Sequence, residues 1–263
     1  RNYEKDYKGL VTLRYALVHS RNLATINLVN EIGIDVLYKG LLRYGFKDIP
    51  YDMSITLGSF GISPIDLSQK YTIFSNKGIM VKPYLVSSIT NRYEEKITFD
   101  KDESYITSPS QSYLMTSILR DVVKGGTGRN GRVDGLETVG KTGTTNNYVD
   151  AWTVGYTPSL VTGVWAGNTN NTPMKRGYGG SRVAAPMWNS FMKQALADSS
   201  VESFPEAPEN DAEKGILKGS SGGGVTLLVD KVTGKIATSS TPEKYIEEQK
   251  FHHQGDNFKI SEN

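Results

Sequence analysis

The stretch Thr138-Val139-Gly140-Lys141-Thr142-Gly143-Thr144-Thr145 is the segment around which the rest of the sequence is arranged. In an edge strand, alternation sends Lys141 and Gly143 to one face. Thr142 and Thr144 then point to the other face, and a glycine inside a strand permits the close approach of another backbone. The stretch predicts either a cationic, hydroxyl-lined edge that binds an extended peptide ending in a carboxylate, or a glycine-rich turn between two strands.

Composition limits the class of protein to which the sequence can belong. With 263 residues, 37% of them hydrophobic and 10% aromatic, the chain is typical of a globular protein with a large core. A net charge of +2 gives no electrostatic reason to expect nucleic-acid binding. The absence of cysteine excludes disulfides, thiol nucleophiles and cysteine-based zinc sites together. We expect neither a cofactor nor a metal.

The start of the chain has no targeting or membrane segment. There is neither a signal peptide nor a run of about 18 apolar residues, and the first residue is Arg1, not methionine. We therefore expect a piece of a longer protein, in which contact with a membrane requires an N-terminal anchor that this chain lacks.

The triplet Ser20-Arg21-Asn22 is a polar break between apolar segments. Before it, residues 10–18 predict a short buried helix. After it, apolar residues resume at Leu23 with helical spacing, are interrupted near Gly33 and end by Gly45. We expect the triplet in a loop between two helices, where its serine and asparagine are either ordinary helix caps or polar groups of a site.

Ser63-Pro64 and Ser108-Pro109 each have the N-cap and first-turn proline pattern that begins a helix. The first helix is expected to end at about Ser75, and residues 82–100 predict a β-hairpin between the two helices. The buried face of the second helix is predicted to consist of Tyr113, Leu114, Ile118, Leu119, Val122 and Val123. The loop 125–129 follows as a mobile, cation-bearing segment that lacks the spacing of a phosphate-binding loop.

Two strands and a helix are predicted after the central stretch. Residues 149–156 and 160–166 predict strands joined by a tight turn, as in an antiparallel meander. Residues 184–196 predict a helix, and the residues expected to pack on the sheet are Met187, Trp188, Phe191, Met192 and Ala195. The fold class expected is α/β (α+β), with a central antiparallel sheet flanked by helices.

The character of the chain changes at Ser199, where Glu, Pro, Ser and Asp become frequent. This composition is typical of a linker. A small hairpin is predicted over 225–236, around Thr233-Gly234, with an extended polar tail after it. We therefore divide the chain into residues 1–198 and a linker with a small C-terminal appendage over 199–263.

Four segments, taken in order, resemble a known family. They are Ser20-Arg21-Asn22, the loop 126–129, the stretch Lys141-Thr142-Gly143-Thr144 and the strand 150–158. Their order and spacing resemble the transpeptidase domain of class A, bifunctional penicillin-binding proteins, over roughly residues 8–197. The resemblance implies a β-lactamase/transpeptidase-like fold and a peptidoglycan D,D-transpeptidase that acts through a serine acyl-enzyme in the cell envelope, outside the cytoplasm.

The resemblance also implies roles for individual residues. Ser20 would pass protons between a catalytic lysine, Lys141 and the leaving nitrogen, and Asn22 would hold a substrate amide. Lys141 would place positive charge beside the nucleophile. The substrate-binding residues implied are Thr142, Gly143, Thr144 and Thr145. The hydroxyls of Thr142 and Thr144 would bind the terminal carboxylate, and the Thr144 N–H would belong to the oxyanion hole.

The chain departs from the family pattern in the nucleophile motif. In the family, a Ser-x-x-Lys motif precedes Ser-x-Asn and Lys-Thr-Gly, whereas the only Ser-x-x-Lys here is Ser190-Phe191-Met192-Lys193. It lies in a predicted amphipathic helix, and we interpret it as a coincidence. We expect the nucleophile, and a glycosyltransferase domain, upstream of this chain, and the isolated chain to be inactive.

The partners implied are peptidoglycan stem peptides, β-lactam antibiotics and other proteins of cell-wall synthesis. Two alternatives stay open: a non-catalytic module that binds peptidoglycan or a partner, and, less favoured, a serine β-lactamase. Against the latter, Ser20 leaves no room for a preceding nucleophile helix, and there is no Glu-x-x-Leu-Asn segment. His19, His252 and His253 suggest a hydrolase or a metal site, but two adjacent histidines in a polar tail have no ligand set around them.

Overall fold

The computed structural model describes residues 8–205, 217, 225–233 and 236–251. The α-helices are α1 (Leu13–Val18), α2 (Asn22–Ile32), α3 (Ile34–Arg43), α4 (Pro64–Ser75), α5 (Pro109–Gly125) and α6 (Ala184–Ala195). The strands are β1 (Ile79–Val81), β2 (Ser88–Thr90), β3 (Lys96–Thr98), β4 (Glu103–Tyr105), β5 (Val139–Thr144), β6 (Asp150–Tyr156), β7 (Val161–Gly167), β8 (Val225–Asp230) and β9 (Ile246–Phe251). Among the described residues, no helix is both long enough and apolar enough to span a bilayer.

The helices α4 and α5 begin where the Ser-Pro pairs predict. The Ser63 hydroxyl accepts a hydrogen bond from the Asp66 backbone N–H at 3.1 Å, and Ser108 forms a capping box with Gln111. Both helices have proline in the first turn, where a backbone N–H has no intrahelical partner. Local rules therefore fix the start of α5, the helix that packs along β5.

The central sheet has the order β5-β6-β7 and is antiparallel throughout. In its register Lys141 pairs with Val154, and Thr142 pairs with Thr153. The β6–β7 turn is closed by a hydrogen bond from the Thr157 N–H to the Leu160 carbonyl at 2.9 Å. The predicted meander and the α/β class with a central antiparallel sheet are confirmed.

Helices cover both faces of this sheet. The core on the side of α1, α4 and α5 consists of Val18, Leu119, Val122, Val139, Tyr156 and Phe204. On the other side α6 buries Trp188 and Met192 beside Val133. Since Val139 and Lys141 are two residues apart in β5, Lys141 points to the side of α1 and α5.

The predicted contact face of α6 is wrong for three residues. Met187 and Phe191 are each 51% exposed, and Ala195 is exposed as well. The residues that are buried are Ala184, Ala185, Trp188 and Met192. The apolar stripe is narrower than the prediction because a single row of helix positions faces the sheet.

The buried face of α5 also differs from the prediction. Leu119, Val122 and Val123 are buried as predicted, whereas Tyr113, Leu114 and Ile118 are only half-buried. Ser112 and Thr116 are buried instead. Their hydroxyls have partners, since Ser112 donates to the Ile73 carbonyl at 3.3 Å and Thr116 bonds the Tyr156 hydroxyl at 2.7 Å. Hydrogen bonding removes the usual cost of burying these polar groups.

Two strand pairings differ from the predictions. The 82–100 hairpin is confirmed at its centre, where β2 pairs with β3, but β1 and β4 form a further pair that was not predicted. The predicted hairpin over 225–236 is confirmed only next to its turn, where Ile236 forms an antiparallel bridge with Val229, and along its length β8 pairs with β9 instead. Gly234 and residues 252–263 lie outside the described residues.

Residues beyond Ser199 still take part in the packing of the central sheet. Phe204 is 9% exposed and lies edge-on to Tyr156, with ring centroids 5.6 Å apart. Its backbone N–H donates to Glu137 Oε2 at 2.9 Å. The remainder of the predicted linker, 206–216, lies outside the described residues. The division of the chain at residue 198 stays a prediction.

Candidate active site

Lys141 connects the edge strand to the turn that follows the first helix. It is half-buried in the middle of β5. Its Nζ donates to Ser20 Oγ at 3.0 Å and to the Thr142 carbonyl at 2.7 Å. The glycine-rich turn that the sequence also allowed is wrong, because the stretch forms a strand paired along its length with β6.

Ser20 lies in the turn between α1 and α2, as predicted for the triplet. Its φ is +53°, in the left-handed region that non-glycine residues seldom adopt. Hydrogen bonds from the Ser20 N–H to the Leu17 carbonyl and from the Arg21 N–H to the Ala16 carbonyl hold this turn. An ion pair between Arg14 Nη1 and Asp121 Oδ2, at 2.7 Å, joins α1 to α5. The position of Ser20 relative to β5 is therefore set by the packing of α1.

Asn22 is the first residue of α2, and the N-cap position belongs to Arg21, which makes no side-chain capping bond. The Asn22 side chain has no hydrogen-bond partner within the part of the chain that the structure describes. Arg21, and neither Ser20 nor Asn22, occupies the N-cap position of α2, and Ser20 Oγ accepts a hydrogen bond from Lys141.

The positive charge of Lys141 is poorly compensated. Burial lowers the pKa of Lys141 from its ordinary 10.5 to about 8. Both of its acceptors are neutral oxygens, and no described carboxylate forms an ion pair with it. Lys141 can therefore exchange a proton near neutral pH or offer its charge to an anionic ligand.

The two threonine hydroxyls of β5 point to the face opposite Lys141, as alternation predicts. Thr142 is 8% exposed, and its Oγ1 donates to Thr127 Oγ1 at 2.9 Å. Thr144 is exposed, and its Oγ1 accepts from the Gly180 N–H at 2.9 Å. Each hydroxyl is thus held by a segment outside the sheet.

Gly143 and Thr145 have different surroundings. A Cβ on Gly180 would lie 2.4 Å from the Gly143 carbonyl oxygen, so the two glycine backbones are in close contact. The Thr145 hydroxyl donates to Asp150 Oδ2 at 2.8 Å and accepts from the Asp150 N–H at 2.8 Å. Thr145 therefore ties β5 to β6, and its predicted contact with substrate stays a prediction.

Sequence reasoning assigned no role to Thr127 or to Gly179 and Gly180, although all three touch β5. Thr127 stands between two glycines in a loop predicted to be mobile, yet its N–H donates to the Val18 carbonyl at 3.2 Å. The Cβ positions of Gly179 and Gly180 point onto Thr144 and Gly143. In the sequence, glycines stand next to a hydroxyl-bearing residue in each of these two segments. This pattern could have indicated that both segments approach β5.

The downstream Ser-x-x-Lys motif lies apart from this cluster. Ser190 is exposed on α6, and its Oγ accepts from Gln194 Nε2 at 3.2 Å. The helix α6 packs on the sheet face opposite Lys141. Nothing in this arrangement brings Ser190 to Lys141.

His19 is the one histidine within the described residues. The His19 ring packs on Tyr15, with centroids 4.3 Å apart. Over the described ranges, no three or more His, Asp or Glu side chains gather in a group that could hold a metal ion. His252 and His253 are outside those ranges.

The Lys141–Ser20 contact joins two motifs that the sequence places far apart, and a family model explains their order. A model described as the penicillin-binding protein transpeptidase domain matches residues 1–193. The chain belongs to this family. The transpeptidase domain is 35% identical to Penicillin-binding protein 1A of Aquifex aeolicus over 211 residues, which is 80% of this chain and 29% of the relative. The chain therefore spans less than a third of the length of that relative.

Two solved structures are similar to the transpeptidase domain. Penicillin-binding protein 1A from Haemophilus influenzae matches with a TM-score of 0.74 and 23% identity over 95% of this chain and 41% of its own, which shows the fold. The PonA1 protein from Mycobacterium tuberculosis, solved in complex with penicillin V, matches with a TM-score of 0.70 and 26% identity over 79% of this chain and 62% of its own. The predicted resemblance to class A transpeptidase domains and the β-lactamase/transpeptidase-like fold are confirmed.

Proposed function

We propose that this transpeptidase domain forms part of the active site of a peptidoglycan D,D-transpeptidase, which cross-links stem peptides through a serine acyl-enzyme. The observation that supports the proposal is the 3.0 Å hydrogen bond from Lys141 Nζ to Ser20 Oγ. It unites the Ser-x-Asn and Lys-Thr-Gly motifs, which are separated by more than a hundred residues, at one edge of the sheet.

The edge strand suits an extended peptide that ends in a carboxylate. Among the described strands, β5 pairs only with β6, so its second edge is available to an added strand. Lys141 supplies one positive charge with no described carboxylate opposing it. The hydroxyls of Thr142 and Thr144 supply further hydrogen-bonding groups, and charge-assisted hydrogen bonds to a carboxylate are the strong ones.

The proposed chemistry is acyl transfer. A serine of the full-length protein attacks the carbonyl carbon of the penultimate D-Ala, and the bond to the terminal D-Ala breaks. The proton of that serine passes to the lysine of its own Ser-x-x-Lys motif and on through Ser20 to the leaving nitrogen, while Lys141, whose pKa is about 8, stays hydrogen-bonded to Ser20 and assists the transfer. The amine of a second stem peptide then attacks the acyl carbon, the ester bond to the serine breaks, and a proton of that amine returns to the serine oxygen. Asn22 would hold a substrate amide, and the Thr144 N–H would stabilise the oxyanion.

The remaining assignments belong to the same proposal. The protein would act in the cell envelope, outside the cytoplasm, with stem peptides as substrates and β-lactams as inhibitors. The penicillin V complex of the PonA1 relative supports the second point. A glycosyltransferase domain, an N-terminal anchor and partners in cell-wall synthesis rest on the resemblance of the sequence alone.

A second candidate is a non-catalytic module that binds peptidoglycan. The observation that favours it is the position of Ser190, the only serine of this chain in a Ser-x-x-Lys motif, on the helix opposite Lys141. Without a nucleophile from elsewhere in the protein, Lys141 and Ser20 would bind peptide without cleaving it.

Intact-mass spectrometry after exposure to a fluorescent penicillin tests the proposal. We expect no adduct on this chain, and an acyl adduct on a longer product of the same gene that has a Ser-x-x-Lys motif ahead of residue 1. Lys141→Met in the longer product should slow acylation by a factor of roughly a hundred or more, since it removes a charge that acts at the reacting centre.

Three outcomes separate the candidates. An adduct at Ser190 would show that the downstream motif is the nucleophile. A folded longer product that is never acylated would favour the non-catalytic module. An adduct that forms equally fast in Lys141→Met would show that the Lys141–Ser20 pair is not part of the site.

A further inference from the structure

Thr127 lies where the three segments of the site meet. Its Oγ1 accepts from Thr142 Oγ1 at 2.9 Å, and its backbone N–H donates to the Val18 carbonyl at 3.2 Å, two residues before Ser20. Lys141 Nζ in turn bonds Ser20 Oγ and the Thr142 carbonyl. These hydrogen bonds form a closed ring through the α1–α2 turn, the loop after α5 and β5.

The number of hydroxyl protons limits what Thr142 can do in this arrangement. A threonine hydroxyl has one proton, and Thr142 donates it to Thr127. An ionised carboxylate only accepts hydrogen bonds, so Thr142 cannot bind one until its proton turns away from Thr127. Thr142 Oγ1 is then left as an acceptor at 2.9 Å from the Thr127 hydroxyl. A hydroxyl proton rotates to suit its partners, so Thr127 can turn its own proton toward Thr142 Oγ1.

We infer that Thr127 is a positioning residue of the carboxylate site. It accepts the Thr142 proton when the site holds no ligand, and it donates to Thr142 Oγ1 when Thr142 turns that proton to the terminal carboxylate of a bound peptide. Hydrogen bonds in such a chain polarise one another, so the second hydroxyl strengthens the bond of the first to the ligand. The inference rests on the proposed function.

The backbone holds Thr127 in place independently of its hydroxyl. The N–H groups of Gly126 and Gly128 both donate to the Val122 carbonyl, at 3.0 and 3.1 Å. A Cβ on Gly126 would lie 2.4 Å from the Val18 carbonyl oxygen, so this loop is packed directly on the end of α1. Thr127→Val therefore removes the hydroxyl and leaves the main-chain contacts in place.

The test is an NMR titration of the 263-residue chain with two probes. The first is an N-acetylated peptide ending in D-Ala-D-Ala, and the second is the same peptide with a C-terminal carboxamide. We expect Thr127→Val to weaken binding of the carboxylate peptide roughly fivefold, the usual worth of one hydrogen bond, and to leave the carboxamide peptide unchanged. Thr127→Ser should retain wild-type binding. Thr98→Val, on an exposed position of β3, is the control and should change neither affinity.

A double-mutant cycle distinguishes a role of Thr127 that acts through Thr142 from a purely structural role of Thr127. If Thr127 acts through Thr142, adding Thr127→Val to Thr142→Val should cause no further loss of carboxylate binding. The inference would be overturned if the fold-losses of carboxylate binding caused by the two substitutions multiply in the double variant. It would also be overturned if Thr127→Val weakened the binding of both peptides equally. Should Thr127→Val fail to fold by circular dichroism, Thr127→Ala removes the same hydroxyl and is titrated instead.

The proposed function and the inference fail differently. If the wild-type chain shows no preference for the carboxylate peptide over the carboxamide, both are overturned. If the wild-type chain shows this preference and Thr127→Val keeps it in full, only the role of Thr127 is overturned.

Discussion

Lys141 has an ammonium group in a buried environment that destabilises its charged form. Burial removes water from its ammonium group, and the two groups that replace the water, the Ser20 hydroxyl and the Thr142 carbonyl, are neutral. The charged form therefore loses more stabilisation than the neutral form, which is why the pKa falls. The same environment increases the attraction of the site for an anion, because a carboxylate that arrives there meets a charge with little competition from solvent.

The first prediction concerns the titration of Lys141. We expect its ammonium to titrate with a pKa of about 8 instead of 10.5. The unfolded chain holds this proton more tightly than the folded chain, so the free energy of unfolding should rise as the pH increases from about 8 to about 10.5. Below that window both states are protonated, and the cost of the buried charge is fully present.

Two measurements check this prediction. Side-chain NMR of the lysine ε-carbons should show one signal with the lowered midpoint, and Lys141→Met should remove it. Chemical denaturation of the wild type and of Lys141→Met at several pH values should show the wild type gaining stability relative to the variant across the window. A relative stability that falls with increasing pH would contradict the lowered pKa.

At the scale of elements, the ion pair between α1 and α5 sets the position of Ser20. Arg14 is buried, and its Nη1 lies 2.7 Å from Asp121 Oδ2, while the Asp121 side chain is 30% exposed. Arg14 also donates to Ser117 at 2.9 Å. The pair thus joins the helix that precedes the Ser20 turn to the helix that packs along β5.

Arg14→Met should lower the free energy of unfolding by about 2 kcal/mol, because it leaves Asp121 without its arginine in a partly buried setting. The matched control is Lys82→Met, which breaks an exposed pair with Asp102 at 3.5 Å and should cost no more than about 0.5 kcal/mol. Urea denaturation measures both. If the two variants lower the free energy of unfolding equally, the buried ion pair stabilises the fold no more than the exposed pair does.

A second element-scale contact fixes the outer end of β5. Gly179 and Gly180 lie against the strand, and the Gly180 N–H donates to the Thr144 hydroxyl. A Cβ on Gly180 would lie 2.4 Å from both the Gly143 and the Trp152 carbonyl oxygens. Only a residue without a side chain fits at that position.

Gly180→Ala should therefore displace this segment from β5, lower the free energy of unfolding by about 2 kcal/mol and weaken the binding of a carboxylate-terminated peptide. Gly125→Ala is the control, since its Cβ would meet nothing within 4 Å at the end of α5. We expect the control to be neutral or slightly stabilising. Chemical denaturation and peptide titration are measured for both variants. If Gly180→Ala behaves like the wild type in both assays, the close contact between Gly180 and β5 is contradicted.

At the scale of the whole molecule, the chain returns to its own core after α6. Phe204 packs edge-on to Tyr156, and the Arg120 guanidinium lies 5.7 Å from its ring. A segment with the composition of a linker thus closes the core on the α5 side of the sheet.

Phe204→Ala should lower the free energy of unfolding by about 3 kcal/mol, because it leaves a cavity in that core. Phe99→Ala, at a side chain that is 50% exposed, should change it by no more than about 0.5 kcal/mol. Thermal and urea unfolding measure both variants. If the two variants change the free energy of unfolding by the same amount, Phe204 is not part of the core.

Sequence reasoning was most successful where a local rule decides the structure. The Ser63-Pro64 and Ser108-Pro109 starts follow from capping, and the break at Gly33 separates α2 from α3 as the spacing predicts. Its errors came where burial depends on a neighbour. Phe191 is exposed and Thr116 is buried because the partner surface, not the hydrophobicity of the residue, determines what each helix covers.

From the sequence alone, Lys141 and Thr142 were expected on opposite faces if the stretch formed a strand, since the pleat alternates whatever surrounds it. The sequence also placed Ser20 in a turn between helices, since the polar break interrupts two apolar patterns. The three-dimensional fold was needed to show that the stretch is a strand and not a turn, that these segments meet, that Thr127 touches Thr142, and that burial lowers the pKa of Lys141. Contacts between distant segments depend on how helices pack against the sheet, and no local pattern in the sequence specifies that packing.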